Sequence, residues 1–321
     1  MTEEIIKIAG AELPVNEELT IKKHRMIGSG ESEKRICVVT GIHGDELEGQ
    51  YVAYELARRI KEDPEALQGT VDIYPAMNPF GIDSVMRGIP AFDLDMNRIF
   101  PGNSQGDMNE YLASEIVKDM VGASLCLDIH ASNIFLTEIP QIRINELHKE
   151  LLVPIAEKSN VDFIWVHGAS TVLESTFAYS LNSIGVPTLV VEMGVGMRIT
   201  KDYGDQLVDG IFSLMGELGI WKAYVPEVRR PVVSYDESGM DVYYLNAPVS
   251  GVFIKDTLHG AVVSEGEHIG RIVNPLSGEL LADIVAPADG WLFTIREYPI
   301  VEEGSLMGRI LKQEVYEGCR N

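Results

Sequence analysis

Five short apolar segments, separated by helical patterns, constrain the fold of this 321-residue chain more than any other feature. Each segment is almost wholly apolar, as in strands that are buried on both faces of a sheet. The segments are ICVVTGI (36–42), VDIYPA (71–76), SLCLDI (124–129), VDFIWV (161–166) and PTLVVEM (187–193). Helical periodicity fills the chain at 47–60, 107–121, 146–158, 172–184 and 203–218. Strands that alternate with helices predict an α/β domain with a mixed, mostly parallel sheet flanked by helices.

The chain on either side of this region has a different pattern. Residues 1–33 alternate apolar and polar side chains between Gly, Pro and Asn breaks, which predicts a β-rich entry to the α/β domain at 34–224. Pro226 and Pro231 then mark a boundary at 224–232. Only strand-like segments and glycine turns follow it.

The last part of the chain, 232–315, contains an internal repeat. The segment 263–272 recurs as 301–310, and each copy follows a glycine-led strand. Two similar β units predict a carboxyl-terminal, all-β domain with a pseudo-twofold sandwich. It resembles the barrel-sandwich hybrid of lipoyl and biotinyl domains. Residues 272–285 contain no lysine to modify, so we interpret this domain as a structural or access-shaping module.

The charge balance argues against two classes of partner. Lys and Arg total 26 against 49 Asp and Glu, and the formal charge of −23 repels nucleic acid and anionic membranes at long range. We therefore expect neither partner. The amino terminus lacks the pattern of a signal peptide, and no apolar run approaches the roughly 18 residues of a membrane span, so a cytoplasmic location is expected. The oligomeric state stays open, and a homo-oligomer is compatible with the sequence.

A candidate metal site begins where the first apolar segment ends. His43-Gly-Asp-Glu46 follows directly, and a helical pattern starts at once. An imidazole and a carboxylate three residues apart can face one point there, and Gly44 lets other backbone approach closely. Catalytic zinc sites use three protein ligands of these types and a water molecule. His-x-x-Glu is common by chance, but its position at the carboxyl end of a predicted strand strengthens it.

Two further strands carry polar side chains to the same predicted edge. His130 ends the segment 124–130 and is the third ligand candidate. Asp128, two residues earlier, either orients a ligand imidazole or makes a strand-end hydrogen bond. A carboxylate within an apolar strand is costly unless it is paired or functional, so Glu192 is a candidate general base. The alternative for Glu192 is a salt-bridged structural glutamate.

Other candidates lie in polar loops. The loop 93–102 carries Arg98, whose planar guanidinium matches a carboxylate, and Arg87 lies just upstream as a second cation that could polarise a carbonyl. His167 ends the run FIWVH and is either a substrate-pocket residue or structural. The loops that shape the pocket are expected at 131–145 and 165–180.

Four motifs together identify a family resemblance. In chain order they are His43-Gly-Asp-Glu46, Asp95-Met-Asn97-Arg98 before Phe-Pro-Gly, Asp128-Ile-His130 and Val191-Glu192-Met-Gly194. Over roughly residues 30–222 the chain resembles the succinylglutamate desuccinylase and aspartoacylase family, a branch of the zinc carboxypeptidase fold. The tail at 232–315 is similar to a β domain that many bacterial members carry.

The resemblance implies that His43, Glu46 and His130 bind one zinc ion per chain and that Glu192 activates a water molecule. It implies hydrolysis of the amide bond in a small N-acyl amino acid or amino acid derivative. Two alternatives remain at this stage. One is a metallocarboxypeptidase acting on short peptides, and the other is a catalytically silent zinc or metabolite-binding protein.

The resemblance also assigns the loop residues. Arg87 is expected to polarise the scissile carbonyl, while Asn97 and Arg98 hold the α-carboxylate of the substrate. Two positions depart from the usual pattern of the family: Met96 stands where leucine is usual, and Asp45 where asparagine is common. Neither departure affects an implied ligand.

Overall fold

A computed structural model of the protein describes residues 1–90, 92–168, 174–236 and 238–318. Its central element is a mixed sheet with helices packed on both faces. Along the first central strand, Ile36 and Val38 pack into one core cluster, and Cys37 and Val39 pack into a second cluster on the opposite face. Two-sided burial explains why these segments are almost wholly apolar. The predicted mixed α/β class is confirmed.

Among the described residues up to 236, the chain forms nine strands and six α-helices. The strands are β1 (Thr2–Leu13), β2 (Glu17–Ile27), β3 (Arg35–Thr40), β4 (Thr70–Tyr74), β5 (Leu125–His130), β6 (Leu136–Asn145), β7 (Phe163–His167), β8 (Thr188–Gly194) and β9 (Val232–Asp236). The helices are α1 (Glu48–Glu62), α2 (Pro79–Ser84), α3 (Met108–Met120), α4 (Lys149–Ala156), α5 (Phe177–Ser183) and α6 (Lys201–Glu217). A seventh helix, α7 (Gln313–Gly318), follows the last strand of the chain.

The order of the strands in the sheet is β1-β2-β4-β3-β5-β8-β6. Strands β4, β3, β5 and β8 are parallel, so their carboxyl ends meet at one edge. Strand β6 runs antiparallel to β8, and β7 pairs with β6 in parallel. Strand β9 follows the predicted boundary at 224–232 and pairs in parallel with β7.

One expectation from the sequence is wrong. The segment 131–145 was expected to be a loop, but most of it is strand β6, with eight of its ten residues buried. Its sequence, LTEIPQIRIN, mixes apolar residues with buried polar ones such as Glu138, and therefore shows no wholly apolar run. The predicted helix at 172–184 corresponds to α5, which begins at Phe177, and residues 169–173 lie outside the described residues.

In the described segment 238–318, eight further strands precede α7: β10 (Val242–Asn246), β11 (Gly251–Lys255), β12 (Val262–Val263), β13 (His268–Asn274), β14 (Glu279–Val285), β15 (Gly290–Arg296), β16 (Ile300–Val301) and β17 (Leu306–Lys312). The sequence repeat is visible in their pairing. Strand β11 pairs with β13 and β16, and β15 pairs with β17 and β12. Each glycine-led strand thus contacts its own repeat and the other one.

The two repeats form two sheets with a shared core. Phe253 and Ile272 of the four-stranded sheet pack in one cluster with Leu292 and Ile310 of the large sheet. Strand β15 also pairs with β6, with Thr294 opposite Glu138, so the carboxyl-terminal strands continue the large sheet. Among the helices of the described residues, none is long and apolar enough to cross a membrane.

A buried ion cluster joins the strands that precede the site. Asp72 of β4 is fully buried, and its Oδ2 lies 2.6 Å from Arg25 Nη2, 3.1 Å from Arg35 Nη1 and 3.3 Å from Lys23 Nζ. Burial opposes ionisation of this carboxyl group. The hydrogen bond from Arg25 and the charge of Lys23 nevertheless lower its pKa below the ordinary value.

We predict that Asp72→Asn lowers the free energy of unfolding by about 3 kcal/mol at neutral pH, because it removes the buried carboxylate that Arg25 and Arg35 share, although Lys23 keeps Asp119 as a second partner at 2.7 Å. Since the folded-state pKa of Asp72 is lowered, its contribution is present above the ordinary carboxyl pKa and is lost as the pH falls. The difference between the two proteins should therefore shrink in acid. Urea unfolding measures it, with exposed Asp63→Asn as the control, and equal stabilities at neutral pH would contradict the prediction.

Candidate metal centre and active site

The turn between β3 and α1 positions two of the predicted ligands. His43 and Glu46 lie between Thr40, where β3 ends, and the first residue of α1, and both side chains are buried. Gly44 is required here, since a Cβ atom at this position would lie 1.9 Å from the carbonyl carbon of Gly81. The turn is thereby packed against α2.

Three side chains converge on one point at the carboxyl edge of the sheet. Glu46 Oε1 lies 2.8 Å from His43 Nδ1, and Glu46 Oε2 lies 2.9 Å from His130 Nδ1. The two Nδ1 atoms are 3.2 Å apart. Ligand atoms around a tetrahedral zinc ion are about 3.3 Å from one another. These residues form a group that could hold a metal ion.

The second ring nitrogen of each histidine faces a carboxylate. Asp95 Oδ1 lies 3.1 Å from His43 Nε2, and Asp128 Oδ1 lies 3.1 Å from His130 Nε2. Carboxylates in these positions fix the ring orientation and leave Nδ1 for a metal. Asp128 lies beside a ligand imidazole, as one of its two sequence interpretations expects. The contact of Asp95 with His43 was not predicted.

The charges of this cluster favour a bound cation. Burial disfavours protonation of His43, yet the carboxylates of Asp95 and Glu46 raise its pKa. Asp128 and Glu46 likewise raise the pKa of His130 well above the ordinary value, against the effect of burial. The three carboxylates carry negative charge, and the two histidines carry none when they are neutral. The cluster then holds an excess of negative charge. The donor set therefore fits a divalent metal ion.

Glu192 lies beside this group on strand β8. Its backbone pairs in register with His130 of β5, so the two side chains leave adjacent strands at the same level. Burial raises the pKa of Glu192 to about 7, with Arg143 opposing the rise and Glu138 adding to it. A carboxylate with such a pKa can both accept and return a proton near neutral pH.

The predicted loop residues surround the same point. Arg87 Nη1 lies 2.9 Å from Glu46 Oε1 and donates a hydrogen bond to it. Asn97 lines the cavity, and its Oδ1 accepts a hydrogen bond from the backbone N–H of Phe177. Arg98 is partly exposed at the rim.

One cavity of about 360 Å³ contains all the predicted site residues. They are His43, Glu46, Arg87, Asn97, Arg98, His130, His167 and Glu192. His167 lines the cavity together with Val190 and Thr188 of β8, the residues that precede Glu192 on the same strand face, and burial lowers its pKa. The cavity therefore extends from the metal-binding group along the sheet.

The sequence did not reveal three charged residues that also line the cavity: Glu138 and Arg143 of β6 and Arg309 of β17. Glu138 and Arg143 lie in the segment that was expected to be a loop. The sequence signal that could have identified Glu138 and Arg143 is the presence of charged side chains inside a segment of high β propensity. Arg309 belongs to the second copy of the repeat, where nothing in the sequence sets it apart from the equivalent Arg271.

Comparison with known proteins identifies the family of this chain. Residues 32–218, more than half of the chain, match the sequence model of the succinylglutamate desuccinylase/aspartoacylase catalytic domain. The N-alpha-acetyl-L-2,4-diaminobutyric acid deacetylase of Halomonas elongata is 35% identical over 101 residues. That match covers 31% of this chain and 29% of the length of the relative.

Solved structures share the fold over nearly the whole chain. A succinylglutamate desuccinylase/aspartoacylase from Rhodobacter sphaeroides is 23% identical with a TM-score of 0.80 over 97% of this chain and 95% of that one. The product-bound ectoine utilization protein EutE (DoeB) from Ruegeria pomeroyi is 18% identical, with a TM-score of 0.82 over the same shares. The chain belongs to the succinylglutamate desuccinylase/aspartoacylase family.

Proposed function

We propose that this protein is a zinc-dependent deacylase that hydrolyses the amide bond of a small N-acyl amino acid or amino acid derivative. The observation that carries the proposal is the convergence of His43, Glu46 and His130 beside Glu192 in one cavity. When bound, one zinc ion would acidify a water molecule and polarise the scissile carbonyl. The protein side chains would supply the proton transfers and the orientation.

Glu192 is proposed as the general base. Its carboxylate lies next to the metal-binding group without belonging to it, and its raised pKa suits proton exchange near pH 7. It would take a proton from water and return it to the leaving amine.

The remaining residues are proposed to hold the substrate. Arg87, which donates a hydrogen bond to Glu46, would stabilise negative charge that develops on the carbonyl oxygen. The amide of Asn97 and the guanidinium of Arg98 would bind the α-carboxylate, and His167 would contact the part of the substrate deeper in the cavity.

The same proposal includes the domain architecture. We propose a zinc-carboxypeptidase-like architecture for residues 34–224 and a barrel-sandwich-like domain at 232–315.

Two observations favour a deacylase over a carboxypeptidase. The cavity volume of about 360 Å³ lies near the lower end of the range for small-molecule sites, which is about 300–1,000 Å³. The curated relative, by its name, is a deacetylase of an acetylated amino acid. Both favour a compact substrate.

The metal assignment predicts one zinc ion per purified chain. His43→Ala should lose most of that zinc, because two ligands rarely hold a catalytic metal. His268→Ala, which changes an exposed histidine on β13, should retain it. Elemental analysis of the dialysed proteins measures the ratio. Zinc content that is unchanged in His43→Ala would exclude His43 as a ligand.

The base assignment predicts a different result for Glu192→Gln. This variant should keep its zinc and lose turnover by a factor of about 10² to 10⁴, the usual contribution of a general acid–base group. In the wild type, the rate should fall as the pH is lowered below about 7, because a protonated Glu192 cannot accept a proton. Loss of zinc together with activity would instead make Glu192 a ligand.

A substrate panel tests the reaction itself. We expect release of free amine from N-acetyl, N-succinyl or N-formyl amino acids, with the acyl preference set by the deep part of the cavity. Short peptides with free carboxyl termini should be hydrolysed far more slowly. Liquid chromatography with mass detection follows each product. Faster hydrolysis of the peptides would favour the carboxypeptidase alternative, and zinc binding without any turnover would favour a binding protein.

A further inference from the structure

A buried carboxylate connects the carboxyl-terminal strands to the wall of the active-site cavity. Glu138 of β6 has no exposed surface. Its oxygens accept hydrogen bonds from Arg143 Nη2 at 2.8 and 2.7 Å and from Arg309 Nη1 at 2.6 Å. Arg309 belongs to β17, in the second copy of the repeat. One carboxylate thus joins a cation of the α/β part to a cation of the carboxyl-terminal part.

The connection continues to the proposed general base. Arg143 Nη1 lies 3.4 Å from Glu192 Oε1, on the side of the guanidinium that does not face Glu138. Arg143, Arg309 and Glu192 all line the cavity. The guanidinium carbons of the two arginines lie 5.9 and 5.8 Å from the ring of Trp165, a distance at which an aromatic face attracts a cation.

The cost of this network argues against a purely structural role. Buried ion pairs often stabilise a protein no more than apolar residues of the same volume. The Nε atoms of Arg143 and Arg309 are buried and, among the described residues, have no hydrogen-bond partner, which adds a further cost. Apolar side chains, such as those that join the two sheets elsewhere, would connect these strands without the desolvation cost of buried charges.

The charges of the network also argue against a site for a substrate carboxylate. Arg143 and Arg309 carry two positive charges, and Glu138 and Glu192 carry two negative charges. The four groups are therefore balanced when Glu192 is ionised. A substrate carboxylate at Arg143 would lie against that of Glu192, and like charges at such a distance repel. Orientation of Glu192 is the role that remains.

We propose that Arg309, acting through Glu138 and Arg143, is a positioning residue for the Glu192 carboxylate. Both carboxylate oxygens of Glu138 accept hydrogen bonds from the same atom, Arg143 Nη2, and Arg309 Nη1 donates to the same carboxylate, so Nη2 is held in place while Nη1 lies towards Glu192. The terminal torsion of a glutamate is soft, so one cation held 3.4 Å from its carboxylate oxygen selects an orientation. The carboxyl-terminal strands thereby complete the active site. This inference rests on the proposed function of Glu192 as base.

The internal repeat supplies a matched control. Arg271 of β13 occupies the position in the first copy that Arg309 occupies in the second, between an equivalent glycine and isoleucine. Arg271 is exposed to solvent, whereas Arg309 is largely buried beside Glu138. The same substitution at the two positions separates the effect of the network from the loss of an arginine in this motif.

The test compares Arg309→Gln, Arg309→Lys and Arg271→Gln in the full-length, zinc-loaded protein with two N-acyl amino acids, one neutral and one acidic in its acyl group. Arg309→Gln should lower kcat by about 100-fold on both substrates, the scale of a small misplacement of a catalytic group. KM should change by less than about threefold, since substrate binding is not affected. Arg309→Lys should restore part of kcat, and Arg271→Gln should match the wild type.

Three results would overturn the proposal. The first is a kcat within about twofold of the wild type for Arg309→Gln together with a lower melting temperature, which would make the network structural only. The second is a KM that rises only for the acidic acyl group, which would make it a substrate site. The third applies if Arg309→Gln does not fold. In that case, a kcat of Arg309→Lys equal to that of the wild type would overturn the proposal. Turnover by the wild type tests the proposed function separately, so a loss confined to the Arg309 variants concerns Arg309 alone.

Discussion

The parallel pairing of β3, β5 and β8 is the constraint on which the rest of the site depends. Because the three strands are in register, with His130 opposite Glu192, their carboxyl ends deliver polar side chains to one edge of the sheet. Burial on both faces by two core clusters holds that register. Any slip would move His130 away from the turn that carries His43 and Glu46. The catalytic geometry is therefore a product of the core rather than of the loops.

The sequence predicted the part of the site that follows from this constraint. His43, His130 and Glu192 interrupt or end apolar strands, and strand order alone brings such residues together. Glu138 and Arg143 were missed because their partners are remote in sequence: Arg309 lies 171 residues from Glu138. The residues of a buried ion network show no local sequence pattern, so strand β6 was predicted to be a loop. The partner of His43, Asp95, lay within a quoted motif, but only tertiary structure shows its contact.

The net charge of the chain does not describe the arrangement of charges around its cavity. The whole chain carries a formal charge of −23, whereas four arginines and three glutamates line the cavity. Local charges act within a Debye length of about 10 Å, so an individual arginine of the cavity can bind a small anion although the surface repels polyanions. The repulsion of nucleic acid and anionic membranes thus concerns large, polyanionic partners. It leaves carboxylate-bearing small molecules as suitable ligands.

The internal repeat shows how a duplicated unit can acquire an asymmetric role. Its two copies have equivalent pairings, but β17 joins the large sheet through β15, while β13 belongs to the separate four-stranded sheet. The arginine of β17 therefore reaches Glu138, and the arginine of β13 stays in solvent. The position of a copy relative to β6, rather than its own sequence, decides whether its arginine contributes to the cavity. A carboxyl-terminal module that does not pair with β6 could limit access to the candidate metal site but could not orient the proposed base, Glu192.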